Sequence, residues 1–352
     1  MVQVKRVSQA TIVPEKAHFT ETLVGKTMGS YKLLSLIGEG GMGMIFRGEH
    51  KTLGRTVAIK VLRPELAFYP DAVNRFFYEA RSVNDIGHPN IVDIFDFQMD
   101  TRSHPPLVYM VMELLQGQTL AELILEQGVL EEADALHITI QVLDALSAVH
   151  KLKILHRDLK PDNIFLPETG DNARGSTRTI KLLDFGVAKI LEKTPGMAVT
   201  SLGLSIGTPE IMAPEQISNL PLSPATDIYA LGILLYQMLA GRAPFQAKSF
   251  IELMDLHLKA SVPPVNEGRI GAGGTEISED LEAVIQRCLQ KDPGERFQSS
   301  EALQDALQEC LDGSFSCEAP TPLPGDPTLN IEEAGLSLER PEPEQDLPSP
   351  DP

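Results

Sequence analysis

The apolar pattern of this chain shifts from mainly strand-like to mostly helical near Gln116–Gly117, and no other feature limits its fold as strongly. Before that point the runs YKLLSLIGEGGMGMIFRGEH (31–50), RTVAIKVL (55–62) and PLVYMVMELL (106–115) are apolar and partly β-branched. Gly-rich or charged turns separate them, as they separate strands. One helix interrupts the strands, from Pro70–Asp71 to Gly87, with Phe76, Ala80 and Val83 at i, i+4 and i+7 forming an apolar face. Beyond Gly117 the pattern turns helical. Leu136, Ile140 and Leu143 mark one amphipathic helix, and further helical patterns fill 225–241, 247–259 and 278–311. Strands first and helices second predict an α+β chain of two lobes.

Composition sets the outer limits. A chain of 352 residues, 42% hydrophobic, holds enough apolar mass for one large domain or two lobes. Its formal charge of −19 argues against a nucleic-acid partner, because phosphate backbones are bound through clustered Lys and Arg. Cys288, Cys310 and Cys317 form no C-x-x-C pair or metal spacing, which fits a reducing compartment. The N-terminus lacks the apolar core of a secretory signal. The most apolar stretch, YALGILLYQMLAG (229–241), is shorter than the roughly 20 residues that cross a bilayer. It reads as a buried core helix, so no membrane span and a cytoplasmic location are expected. The expected organisation is a flexible arm at 1–27, a small β-rich lobe at 28–113, a larger helical lobe at 114–312, and a tail at 313–352. The tail is so rich in Pro, Glu and Asp that disorder is expected.

Three stretches carry chemistry. In GEGGMG, Gly38, Gly40 and Gly43 fit G-x-G-x-x-G, where missing Cβ atoms let backbone approach phosphate oxygens. A dinucleotide fold needs a helix next; a strand-like run at Ile45–Phe46 follows instead, and a plain Gly-rich hairpin turn stays open on this pattern alone. In VAIK, strand alternation puts Lys60 on the face of Ala58; a strand lysine by itself most often points to solvent. Glu79, on the apolar-faced helix, needs a cationic partner if it points inward, and Lys60 is the natural candidate. In HRDLKPDN (156–163), Asp158 and Asn163, with Asp184 of a later DFG, offer the oxygen donors that hard divalent cations prefer. His156 and Asp162 read as structural, a core histidine and a turn residue.

With these residues in view, the chain resembles the eukaryotic-like serine/threonine protein kinases of bacteria over about residues 31–311. The resemblance is carried by IGEGGMGMIF, VAIK, Glu79, HPNIV (88–92), VMELLQG (111–117), HRDLKPDN, DFG, GTPEIMAPE (207–215), DIYALG (227–232) and DPGERF (292–297), in that order. It implies a bilobal protein-kinase-like fold and transfer of the γ-phosphoryl of ATP to Ser or Thr hydroxyls of protein substrates. A non-catalytic kinase-like scaffold is disfavoured because Lys60, Asp158 and Asp184 are all present. A small-molecule phosphotransferase is disfavoured by the long segment ending in Ala213–Pro214–Glu215.

The resemblance also implies roles. ATP would be cradled by Ile37, Gly38, Glu39, Gly40, Gly41, Met42, Gly43, Ile45, Ala58 and Lys60, with Glu79 bracing the lysine. Glu113 and Leu115 would offer backbone hydrogen bonds to adenine, with Met112 controlling access behind it. Asn163 and Asp184 would hold Mg2+, with Mn2+ as an alternative, while Asp158 acts as base and Lys160 neutralises the moving phosphoryl. Thr208 would belong to the substrate loop. Asp227 would brace the 156–158 backbone, and Glu215–Arg296 would form a buried ion pair. Arg157 suggests phosphate-dependent ordering of the activation segment, with Thr200, Ser201 and Ser205 as candidate autophosphorylation sites. Thr11, Thr20, Thr22, Thr321 and Thr328 are candidate sites for phosphothreonine-binding partners. Two departures stand out: Ile211 replaces a common aromatic, and 166–183 is longer than usual and reads as an exposed excursion.

Overall fold

The computed structural model describes residues 22–103, 106–168, 178–184 and 209–313, without the side chains of 75, 79, 82 and 83. In chain order the first lobe contains β1 (Thr27–Met28), β2 (Tyr31–Glu39), β3 (Gly43–His50), β4 (Thr56–Leu62), α1 (Pro70–Ile86), β5 (Ile94–Asp100) and β6 (Leu107–Met112). The strands form one antiparallel sheet in the order β1-β2-β3-β4-β6-β5. Alternation along β4 decides its two faces. Val57, Ile59 and Val61 pack with Leu33, Phe46, Tyr109 and Val111 on one side. Ala58 and Leu62 pack with Phe76 and Ala80 of α1 and with Met110 and Met112 on the other. Lys60 shares the parity of this second face and is only 6% exposed. Complete burial of Phe76 alone contributes about 2–3 kcal/mol.

The second lobe begins with β7 (Gly117–Thr119) and continues through α2 (Leu120–Gln127), α3 (Glu132–Lys151), β8 (Ile164–Pro167), β9 (Lys181–Leu182), α4 (Pro214–Ile217), α5 (Pro224–Ala240), α6 (Phe250–Lys259), α7 (Val265–Gly271), α8 (Glu279–Cys288) and α9 (Ser300–Asp312). Thr119 starts α2 with a reciprocal cap: its Oγ1 accepts from the Glu122 N–H at 3.2 Å, and Glu122 Oε2 accepts from the Thr119 N–H at 2.8 Å. Helix α5 is the axis of this lobe, every residue from Ala225 to Tyr236 being buried. A helix apolar on all sides belongs in a core. Gly232 lets α8 approach, since a Cβ there would lie 2.7 Å from the Cys288 Cβ. Among the described residues no helix is long and apolar enough to cross a membrane.

The helical pattern over 278–311 resolves into two helices. Pro293 begins a 3-10 turn (Pro293–Glu295) between α8 and α9, because proline cannot continue the hydrogen-bond ladder. The arm through residue 21, the tail from 314 and residues 169–177 of the long excursion lie outside the described residues. So do Thr200, Ser201, Ser205, Thr208, Gly186 and the Glu79 side chain.

Where α5 meets α6, Tyr229 and His257 are both fully buried, the Tyr229 hydroxyl lying 2.9 Å from His257 Nδ1. Burial and the Lys291 ammonium push the His257 imidazole down to about 4. The folded state therefore keeps this ring neutral while the unfolded chain, near the ordinary 6.5, takes up a proton. The stability contributed by this ring is fully present above about pH 6.5 and is lost as pH falls toward 4, by about 3 kcal/mol. Urea unfolding of the His257→Gln variant is expected to show a flatter pH dependence across that window; an unchanged slope would remove His257 as its source.

Candidate active site

Three segments from both lobes converge here: β4, the 156–163 loop and the end of β9. The loop is fixed from below by α5. Asp227, wholly buried, accepts the His156 N–H at 2.9 Å on Oδ2 and the Arg157 N–H at 2.8 Å on Oδ1. Its Oδ2 also lies 2.8 Å from His150 Nε2. Burial alone would raise the Asp227 carboxyl, but the hydrogen bond and charge of His150, the charge of His156 and the Arg157 N–H outweigh it and hold the group below its ordinary value. These bonds keep Arg157 at φ +64°, a left-handed conformation costly for a residue with a Cβ.

Within the loop, Asn163 Nδ2 donates to the Asp158 carbonyl at 2.8 Å and to Asp158 Oδ2 at 3.3 Å. Lys160 Nζ lies 3.6 Å from the same carboxylate oxygen. The Leu183 N–H donates to the Asn163 carbonyl at 2.8 Å, which brings the next residue, Asp184, beside the loop. Asp184 sits at φ +31°, also strained, and its Oδ1 accepts from Lys60 Nζ at 2.6 Å. Thus Asp158, Asn163, Asp184 and Lys60, distant in sequence, form one cluster. Lys60 reaches Asp184 in this cluster; the Glu79 side chain, its expected partner, lies outside the described residues. His156 is fully buried, and Asp162 lies in the 3-10 turn Pro161–Asn163.

The glycines occupy the turn between β2 and β3. Gly43 faces the Val61 carbonyl, which a Cβ would approach to 2.5 Å, so the loop can lie against β4 only with glycine there. Ile37 is half exposed, Ile45 pairs with Gly38 and Lys60, and Ala58 pairs with Met112. Glu113 and Leu115 follow β6 in the connection between the lobes.

The local sequence gave no signal for several residues that position this site. Lys181 Nζ donates to Glu113 Oε1 at 2.6 Å and to the Ile91 carbonyl at 3.1 Å, tying β9 to the interlobe connection. Asn90 donates to the Ile180 carbonyl at 3.0 Å, and Gln141 Oε1 accepts the Ile180 N–H at 3.1 Å. Asn90 was visible only within the HPNIV motif. Gln141 reaches β9 from α3, a pairing that no spacing announces. Glu215 and Arg296 form a bidentate pair at 2.8 and 2.9 Å, with neither side chain more than 2% exposed.

The residues fit a hard divalent cation. Asp184 commits Oδ1 to Lys60, while its Oδ2 and Asn163 Oδ1 have no acceptor role toward any described residue. One carboxylate and one amide oxygen, completed by phosphate oxygens, make the kind of set a small hard cation takes. Among the described residues no cluster of three or more His, Cys, Asp or Glu side chains competes for a metal.

A β-sheet lobe carrying Lys60, set against a helical lobe carrying Asp158, Asn163 and Asp184, defines the bilobal kinase fold. The protein kinase domain family matches residues 31–307, and the chain belongs to that family. Membership implies ATP and a divalent metal. The chain is 42% identical over 291 residues to the serine/threonine-protein kinase Pkn1 of Myxococcus xanthus, covering 83% of this chain and 40% of Pkn1. It is 34% identical to the serine/threonine-protein kinase PrkC of Bacillus subtilis, covering 82% of this chain and 42% of PrkC. The chain therefore spans only about two fifths of these relatives. Among solved structures, a mutant PknI kinase domain of Mycobacterium tuberculosis shares the fold, with TM-score 0.61 and 23% identity over 81% of this chain and 97% of that one. Rad53 1-466 in complex with AMP-PNP gives TM-score 0.62 and 26% identity over 79% of this chain and 65% of that one.

Proposed function

We propose that the chain is an ATP-dependent serine/threonine protein kinase using Mg2+, or alternatively Mn2+, and acting on protein substrates in the cytoplasm. The observation that carries this reading is the junction of Lys60 with Asp184 at 2.6 Å beside the hydrogen-bonded Asp158–Asn163 pair. The nucleotide complex of Rad53 and the names of the bacterial relatives support it.

In this reading the Gly38–Gly43 backbone and Lys60 hold the phosphates. Asn163 and Asp184 would hold the cation, which neutralises phosphate charge. Asp158 accepts the proton of the substrate hydroxyl as that oxygen bonds the γ-phosphorus, and the bond from phosphorus to the β,γ-bridging oxygen breaks to release ADP. Lys160, already near Asp158, offsets charge on the phosphoryl in transit. Thr208 would shape the substrate loop, and autophosphorylation at Thr200, Ser201 or Ser205 would recruit Arg157 and order the activation segment. Phosphorylated threonines of the arm or tail would recruit phosphothreonine-binding partners.

The test is incubation with γ-labelled ATP, Mg2+ and a generic basic protein, followed by mapping of labelled residues. Label on Ser and Thr of the added protein and within 200–205 is expected. No transfer with either Mg2+ or Mn2+ would leave a nucleotide-binding or purely scaffolding role.

A further inference from the structure

Arg63 stands one residue beyond β4 and has no part in the family motifs noted above, yet it holds more of the glycine turn than any other described side chain. Its Nη2 donates to the Gly40 carbonyl at 2.8 Å and to Glu39 Oε1 at 2.9 Å. Its Nε donates to the Gly40 and Gly41 carbonyls, each at 3.1 Å. Its own backbone N–H donates to the Met42 carbonyl at 3.0 Å, extending the β3–β4 register by one step past Gly43–Leu62. Three successive carbonyls, of Gly40, Gly41 and Met42, are therefore drawn toward one residue.

A trans peptide is planar, with its N–H antiparallel to its C=O. Drawing those carbonyls toward Arg63 turns the N–H groups of Gly41, Met42 and Gly43 the other way. Among the described residues the Gly41 and Met42 N–H groups have no backbone acceptor. Successive N–H groups aimed together form a concavity suited to an anion. Because the ladder register continues to residue 63, the alternation does too, and Arg63 leaves the strand on the face opposite Lys60. Carbonyls are gathered on one side of the turn, and the N–H groups are left to the other.

On the reading that this cleft binds ATP, we propose that Arg63 is a positioning residue that orients the Gly40–Gly43 amides toward the nucleotide phosphates without touching the nucleotide. Its guanidinium fork suits this work, because a planar set of donors spans several acceptors that a compact ammonium cannot span together. Glu39 completes the clamp and offsets the Arg63 charge.

The measurement is titration calorimetry of adenosine and of ATP with Mg2+ on the full chain. Wild type is expected to prefer ATP over adenosine. Arg63→Ala is expected to leave adenosine affinity within about twofold and to cut the preference about tenfold, with a matching rise in KM for ATP and a smaller change in kcat. Arg63→Lys is expected to restore only a minor part. An unchanged preference in Arg63→Ala, a parallel fall for both ligands, or full restoration by Lys would each overturn the inference while leaving the nucleotide reading intact. If Arg63→Ala does not fold, Arg63→Met keeps the aliphatic stem and carries the same test. Failure of wild type to bind ATP would overturn the nucleotide reading itself, and the positioning role with it.

Discussion

Replacing Asp158 with Asn is expected to reduce phosphoryl transfer about a thousandfold while leaving ATP affinity and thermal stability close to wild type. The exchange is nearly isosteric. The Asn163 bond to the Asp158 backbone carbonyl at 2.8 Å does not depend on the carboxylate, so the loop keeps its shape. What disappears is the carboxylate that the proposed mechanism uses as the proton acceptor, 3.6 Å from Lys160 Nζ. General base catalysis is worth about two to four orders of magnitude, which sets the size of the loss. Single-turnover kinetics at saturating ATP separates this from binding. A rate within about threefold of wild type would exclude Asp158 as the base.

The second large effect concerns stability. Arg296→Ala is expected to cost about 3–5 kcal/mol, because it leaves the Glu215 carboxylate buried and unpaired. The guanidinium also donates to the carbonyls of Ala225 at 2.9 Å, Gln290 at 2.7 Å and Lys291 at 3.1 Å, and those acceptors would be stranded together. Its central carbon lies 4.8 Å from the centroid of the Tyr229 ring, a cation–π contact that goes with it. Removing Glu215 and Arg296 together is expected to cost less than the sum of the two single changes, since each single change isolates one charge. Urea unfolding of the three variants measures this; simple additivity would show that the pair does not act as a unit. The loss should reach the active site, because Gln216, next to Glu215 in α4, donates to the Arg157 carbonyl at 3.4 Å.

Much of the fold was legible. The strands β2, β3, β4 and β6 and the helices α1, α3, α5 and α6 carry long, regular apolar patterns, and each lies where its pattern indicated. β5, β7, β8, β9, α2 and α7 did not announce themselves. Several are two to four residues long, and β5 leaves Phe95, Phe97 and Met99 partly exposed at the sheet edge, so its pattern has no clean buried face. The single helical pattern over 278–311 hid a break, because periodicity weighs side-chain polarity and takes no account of the donor missing from Pro293.

Of the site, residue types named Asp158, Asn163 and Asp184 as hard oxygen donors for a divalent cation and Lys60 as a candidate partner for Glu79, while the role of Lys60 toward phosphate came only with the family resemblance. Sequence by itself determined which groups are present, which lobe each falls in, and that glycine must line the turn. Tertiary structure decided which groups meet: Lys60 with Asp184, Lys181 with Glu113, Asp227 with the Arg157 amide, and Arg63 with three carbonyls across the β2–β3 turn. These pairings join residues 21 to 124 positions apart. Directional bonds over such separations depend on how sheet and helices stack, which local propensity and period do not encode.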